Sequence, residues 1–136
     1  MAYSNTVMDH FMHPRHVGVM QSSDADVGTG IAGSQELGAL LQIQVRVSSD
    51  GRIQDSRFKA YGCGCTIAAG SLAAQWLVGR SLEQAAQFSQ AYVQHELELP
   101  AVKVHSALLA QEAVQAAVAQ AQNKWVAQRS NVPVQG

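Results

Sequence analysis

An alternating stretch in the middle of the chain constrains its fold more than any other feature. Residues 41–47 read Leu-Gln-Ile-Gln-Val-Arg-Val, with apolar and polar side chains in alternation, which predicts a half-buried β-strand. Asp50-Gly51 is a hairpin-turn signal, and residues 53–61 predict the returning strand. This second strand alternates less regularly, so we expect a bulge or burial on both of its faces. Because a two-stranded hairpin is marginally stable alone, a third strand is expected from the glycine-rich residues 14–38.

Helical patterns lie on both sides of the hairpin. A short helix is predicted from Ser4, as its N-cap, to about Met12, because Pro14 forbids continuation. After the hairpin, helices are predicted over residues 66–78, over residues 81–88 with a capping-box start, and over residues 106–128. The apolar stripe of the longest helix comprises Leu108, Leu109, Ala113, Val114, Ala117, Val118, Ala121 and Trp125.

Length and composition limit the classes of function. The 136 residues predict one domain over residues 1–128, followed by a flexible tail over residues 129–136. A net charge of −1 and few aromatic residues argue against a nucleic-acid partner, and no apolar run is long enough to cross a membrane. The first residues lack a signal-peptide pattern, so a cytoplasmic location is expected.

The two cysteines of the chain lie in one pentapeptide, Tyr61-Gly62-Cys63-Gly64-Cys65, between a predicted strand and a predicted helix. In a reducing compartment they are expected to be thiols, and two residues apart they are poorly placed to bridge each other. Cys65 directly precedes the helix expected at Thr66, so it is the thiol that the helix dipole is expected to favour. Sulfur ligands at such a turn suit a soft metal, although a buried free cysteine is often only a small apolar residue.

A metal site would need ligands beyond these two thiols, which make at most half of a tetrahedral set. His105 begins the long helix and is the best distant candidate, and Lys103 would bring a cation that favours a thiolate. His10, His13 and His16 form a second cluster, which is interpreted either as a metal site or, in preference, as surface histidines around a helix end. The sequence shows no pattern that would pair a catalytic nucleophile with a base, and no phosphate-binding loop, so an enzyme is not expected.

Several segments resemble, in the correct order, motifs of the IscU/NifU family of iron–sulfur cluster assembly scaffold proteins. They are Asp9-His10-Phe11, residues 14–18, Val27-Gly28-Thr29-Gly30, residues 57–64 and residues 97–105. The resemblance covers nearly the whole chain. It implies an α+β fold of the IscU/SufE-like type, in which a three-stranded antiparallel sheet packs against four to five helices and the site lies at one exposed end.

The chain departs from the ligand set that the resemblance implies, which is three cysteines, an aspartate and a histidine. Leu37, Ala39 and Ser106 stand at the positions of the first cysteine, the aspartate and the third cysteine. Cys63 and His105 are retained. A cluster-binding site of the full family type is therefore not expected in one copy of the chain, because leucine and alanine cannot ligate a metal and serine is a poor substitute for a thiolate.

Three functions remain open. The preferred hypothesis is a divergent scaffold or carrier that binds a [2Fe–2S] cluster or iron through Cys63, Cys65 and His105, with a homodimer as one way to complete the ligands. Because the family's aspartate is absent at Ala39, the resemblance implies that a bound cluster is kept rather than passed on. The second hypothesis is a degenerate paralogue that regulates the assembly machinery without a cluster. The third is a zinc or persulfide carrier.

The resemblance also implies protein partners. Leu99-Pro100-Ala101-Val102-Lys103 is similar to the segment by which the family is recognised by an Hsp70-type chaperone, which acts with a co-chaperone, although Ala101 stands where the family has a second proline. An extended, proline-bearing segment suits such recognition. A cysteine desulfurase is the other expected partner. A plain linker between helices is the alternative interpretation of residues 99–103.

Overall fold

The computed structural model describes residues 3–34 and 36–130. Within them the chain forms three strands, five α-helices and one turn of 3₁₀ helix. Their order is α1 (Asn5–Met12), β1 (Val27–Ser34), β2 (Ala39–Val47), β3 (Ile53–Tyr61), α2 (Gly64–Leu77), α3 (Leu82–Ala85), α4 (Gln90–Leu97), the 3₁₀ turn (Ala101–Lys103) and α5 (Val104–Ser130). This α+β architecture confirms the expected fold class.

The sheet is antiparallel with the order β1-β2-β3, so the hairpin and the third strand are both confirmed. Gly51 adopts φ +83° in the turn between β2 and β3. The expected irregularity of β3 is a register shift next to this turn, where Arg46 pairs with Asp55 but Val47 pairs with Ile53. The shift explains why the apolar parity of β3 changes along its length.

Both long helices cover one face of the sheet, α5 across β1 and β2 and α2 across β2 and β3. The inward side chains Leu41, Ile43 and Val45 of β2 are fully buried there. α5 approaches β1 so closely that a Cβ atom at Gly28 or Gly30 would overlap the helix backbone. The glycines of β1 therefore set the separation between the sheet and α5. The first turn of α5 lies next to the end of β3 and the start of α2.

Part of the glycine-rich segment before β1 lies along the edge of β3 and over the other face of the sheet. Phe58 donates its N–H to the carbonyl of His16 and accepts from the N–H of Gly18. Further along, the Gln44 side chain exchanges two hydrogen bonds with the backbone of Met20, at 2.7 and 3.0 Å. This segment is therefore ordered by the sheet rather than forming a free loop.

Several expected boundaries differ from the structure. α2 begins at Gly64 rather than Thr66, α3 ends at Ala85 rather than Phe88, and α5 extends over residues 104–130 rather than 106–128.

Helix α4 was not predicted from the sequence, because its eight residues bury only Val93 and Leu97 and show no extended apolar stripe. The first two residues of the predicted tail are helical, and residues 131–136 lie outside the described part of the chain. Leu108, placed in the apolar stripe of α5, is 41% exposed.

The expectation of surface histidines is wrong for His10, whose side chain is only 5% exposed. Its Nδ1 lies 2.7 Å from the Ser71 hydroxyl, which also accepts the backbone N–H of Arg15. His10 therefore joins α1 to α2. His13 is exposed, and the three histidines do not form a metal-binding group in the described chain.

Among the described residues, no helix has both the length and the apolar character needed to span a membrane.

Candidate functional site

The candidate site is built at the turn between the end of β3 and the start of α2. Gly62 adopts φ +135°, a conformation that side-chain-bearing residues rarely adopt, and it reverses the chain after Tyr61. Cys63 follows as the N-cap residue of α2, with extended backbone angles. The Cys63 side chain is half-buried, so its sulfur is held at the helix N-terminus and stays reachable from solvent.

The first turn of α5 brings a second chain segment to this thiol. The Ser106 hydroxyl lies 4.0 Å from the Cys63 sulfur, and the Thr66 hydroxyl lies 3.7 Å from the same sulfur. The two hydroxyls are 3.2 Å apart, and both residues are fully buried. One sulfur and two hydroxyl oxygens therefore form a triangle between α2 and α5.

The surroundings of the two thiols shift their pKa values in opposite directions. Burial acts to raise the pKa of Cys63, but backbone and hydroxyl groups facing the sulfur outweigh it and the pKa is lowered. Those groups are, in decreasing order, the Thr66 amide, the Thr66 hydroxyl, the Cys65 amide and the Ser106 hydroxyl. Burial raises the pKa of Cys65, and the nearby Cys63 sulfur raises it further. The helix N-terminus therefore favours the thiolate of Cys63 and not, as the sequence suggested, that of Cys65, because α2 starts earlier than predicted.

The remaining expected ligands lie around this triangle with very different exposure. Cys65 is fully buried in the first turn of α2, two residues after Cys63. His105 is exposed at the start of α5. The positive charge of Lys103 acts to lower the pKa of Cys65, as expected for a cation near a thiol. Throughout residues 3–34 and 36–130, no three His, Cys, Asp or Glu side chains are grouped closely enough to hold a metal ion.

The two positions at which the resemblance implies a cysteine and an aspartate lie at the same end of the sheet. Leu37 is 78% exposed in the turn between β1 and β2, and Ala39 starts β2 with a buried side chain. Gly62 lies against Ala39, since a Cβ on that glycine would be 3.4 Å from it. The β1–β2 turn thus presents an exposed apolar side chain at this end of the sheet, where the resemblance implies ligands.

The segment 99–103 leads directly into α5. Leu99 packs against the core, and Pro100 is the N-cap of the 3₁₀ turn. Ala101 and Val102 are exposed, with Val102 at 69%. The segment therefore offers apolar surface on the approach to the site.

Thr66 is a site residue that was not predicted from the sequence. It stands at the third position of α2, and the side chain at this position faces the N-cap side chain. The spacing Cys63-x-x-Thr66 is the signal that could have revealed it, once the helix start was placed at Gly64.

Comparison with known proteins agrees with this architecture. The family model of the NifU-like N terminal domain matches residues 2–128. The chain is 46% identical over 119 residues to the iron-sulfur cluster assembly scaffold protein IscU of Haemophilus influenzae, a match that covers 88% of this chain and 94% of that protein. It is also 46% identical over 118 residues to IscU of Azotobacter vinelandii, covering 87% and 92% of the two chains.

The fold is found among solved structures as well. The crystal structure of the N-terminal part of a NifU-like protein from Brucella abortus matches with a TM-score of 0.67 at 17% identity, covering 89% of this chain and 94% of that one. At this identity the likeness concerns the fold alone. The family model and the close relatives together show that the chain belongs to the family of NifU-like N-terminal domains.

Proposed function

We propose that this chain is a scaffold for iron–sulfur cluster assembly, on which a [2Fe–2S] cluster or iron is held as cargo. The observation that carries the proposal is Cys63, a half-exposed thiol of lowered pKa at the end of the sheet where the family resemblance expects a ligand. A thiolate at a helix N-terminus is a good ligand for iron. The role is that of a cytoplasmic scaffold and not of an enzyme.

The proposed ligands beyond Cys63 are Cys65 and His105. Cys65 follows Cys63 by two residues in the first turn of α2, and we propose that a change of its side-chain rotamer would turn its thiol toward a shared metal. His105 is exposed and free to turn toward the site from the first turn of α5. One copy would then offer three ligands, one fewer than the four that a [2Fe–2S] cluster requires, and a second copy would complete the set. Zinc in the same three ligands with one water is the alternative cargo.

The proposed partners are a cysteine desulfurase, which would supply sulfur, and an Hsp70-type chaperone with its co-chaperone, which would recognise residues 99–103. The exposure of Ala101 and Val102 supports the second contact, because recognition of a peptide segment needs accessible apolar side chains. The segment is not extended, contrary to the expectation from the sequence, since residues 101–103 form a 3₁₀ turn, which would have to open to enter an extended groove.

A second candidate role is supported by Leu37. A leucine that is 78% exposed at the end of the sheet that carries Cys63 favours protein contact over metal binding at that position. In this role the chain would be a degenerate paralogue that binds the desulfurase or the chaperone and regulates assembly without a cluster. A persulfide or zinc carrier that uses the Cys63/Cys65 pair is the third candidate.

Anaerobic reconstitution tests the proposal. Purified protein is given ferrous iron and sulfide, and its visible spectrum, bound iron and native mass are recorded. We expect charge-transfer bands that the Cys63→Ala variant lacks and that Cys65→Ala and His105→Ala reduce. His95→Ala is the matched histidine control, because His95 is exposed on α4, away from the site.

The outcomes separate the candidates. A native mass of two chains per cluster would establish the shared site. A Cys65→Ala variant with an unchanged spectrum would remove Cys65 from the ligand set. A colourless wild-type protein that still binds a desulfurase would refute the scaffold proposal in favour of the regulatory paralogue.

A further inference from the structure

We propose that the Thr66 and Ser106 hydroxyls act as a hydrogen-bonded pair that donates to the Cys63 sulfur and thereby strengthens the hold of Cys63 on a thiophilic metal or cluster. This inference rests on the proposed function, since it gives a role to the groups behind the ligand. Ser106 is then a positioning residue that supports the thiolate from behind, at a position where the family resemblance implies a direct ligand.

The distances among the Thr66 hydroxyl, the Ser106 hydroxyl and the Cys63 sulfur allow hydrogen bonds within this group of three. Both residues are fully buried, and their hydroxyl oxygens are 3.2 Å apart. The Cys63 sulfur is 3.7 Å from the Thr66 oxygen and 4.0 Å from the Ser106 oxygen, distances at which a sulfur still takes part in hydrogen bonds. Within residues 3–34 and 36–130, the Ser106 hydroxyl has these two groups as its hydrogen-bond partners.

Counting protons shows the consequence of metal binding. With Cys63 as a thiol, three hydrogens are shared among the three groups and either direction of each bond is possible. A metal-bound thiolate has no hydrogen and can only accept. Two hydrogens then remain for the three contacts, so either both hydroxyls donate to the sulfur, or one hydroxyl donates to the other, which in turn donates to the sulfur. In every arrangement the sulfur accepts a hydrogen bond from at least one hydroxyl. Hydrogen bonds to an ionised acceptor are the stronger kind.

The backbone amides of Thr66 and Cys65 also face the Cys63 sulfur, and they stay in place when either hydroxyl is removed, so a side-chain variant changes the hydroxyl contribution alone. Lys103 precedes α5 and acts on the neighbouring Cys65 through its charge. Groups that orient a metal ligand from behind usually change metal affinity by about 10- to 100-fold when they are removed. The two hydroxyls are therefore expected to matter for affinity even though neither reaches the metal.

Cadmium binding to the whole protein tests the inference. Cd²⁺ alone is the probe, because it binds thiolates and gives an ultraviolet sulfur-to-metal band whether or not iron is the natural cargo. The variants are Thr66→Val, which keeps the shape and removes the hydroxyl, Ser106→Ala, and Thr66→Ser, which restores a hydroxyl. Ser56→Ala is the control, since Ser56 is also fully buried but donates to the carbonyl of Ala74, away from Cys63.

We expect Thr66→Val to weaken Cd²⁺ binding by about tenfold or more, with Thr66→Ser near wild type and Ser56→Ala within about twofold of it. A reconstituted cluster should also have a lower midpoint potential in Thr66→Val, because hydrogen bonds to a ligating sulfur favour the reduced cluster. If Thr66→Val does not fold, as judged by circular dichroism, Ser106→Ala provides the same comparison.

The hydroxyl proposal and the scaffold proposal can be refuted independently of each other. Equal Cd²⁺ affinities in wild type, Thr66→Val and Ser106→Ala would overturn the inference, whatever the cluster does. A Cd²⁺ affinity that depends on Thr66, in a protein that never assembles a cluster, would support the inference and refute the scaffold proposal.

Discussion

Gly30 in β1 offers a sharp test of how the sheet and α5 are held together. A Cβ atom at this position would overlap the carbonyl oxygen of Ala113 and the amide nitrogen of Ala117, and would lie 2.9 Å from the Cβ of Ala116. All of these atoms belong to the backbone or the first side-chain atom of α5, so no flexible side chain can turn away. In Gly30→Ala the whole helix must therefore shift.

The expected cost follows from this rigidity. Overpacking lowers the free energy of unfolding by about 1–3 kcal/mol. Because the atoms that Gly30→Ala would overlap belong to the backbone of α5, we expect a loss at the upper end of this range, about 3 kcal/mol. At this chain length such a loss lowers Tm by roughly 10 °C. Ser106 lies in the first turn of α5, so a shifted helix should also move its hydroxyl away from Cys63.

Urea and thermal unfolding followed by circular dichroism at 222 nm measure the effect. Gly79→Ala is the control, because Gly79 has φ +91° and a Cβ atom added there would meet no neighbouring atom within 4 Å. It should cost only the left-handed backbone conformation, about 1 kcal/mol. A Gly30→Ala variant no less stable than Gly79→Ala would show that α5 does not pack against β1 as described.

Three further predictions concern single side chains. Iodoacetamide should modify Cys63 well before Cys65, because Cys65 is fully buried with a raised pKa; equal rates in peptide mass mapping would contradict the arrangement. Ser106→Cys replaces the hydroxyl beside Cys63 with a thiol, so a reconstituted cluster should be lost to a chelator more slowly, and an unchanged loss rate would argue against the position of residue 106 beside Cys63. Burial lowers the pKa of His10 below 6.5. Between that lowered pKa and 6.5 the unfolded chain therefore binds more protons than the folded chain, so the free energy of unfolding should rise with pH through this window. His10→Gln should flatten this dependence in urea titrations between about pH 5 and pH 7, whereas His13→Gln, an exposed control, should keep it.

Much of the fold could be predicted because local patterns and tertiary packing agree. The alternation of residues 41–47, the Asp50-Gly51 turn and the long apolar stripe of α5 each indicate the element that forms. α4 was missed for the opposite reason: it has just two buried side chains, Val93 and Leu97, and Tyr92 packs partly buried beside them, so the helix depends on burial by its neighbours rather than on a long apolar stripe. His10 was misplaced because a polar residue on a short helix gives no local sign of the partner that buries it, here Ser71 from α2.

The sequence by itself determined the cysteine pair, its place between a strand and a helix, the sheet that carries it and the family to which the chain belongs. Only the tertiary structure decided which thiol is reachable. A shift of two residues in the start of α2 makes Cys63 the N-cap and buries Cys65, and the packing of α5 then brings the Ser106 hydroxyl to Cys63 from 43 residues away. Exposure, and hydrogen bonds between distant segments, depend on how the helices pack on the sheet, and the local pattern of a sequence does not contain that information.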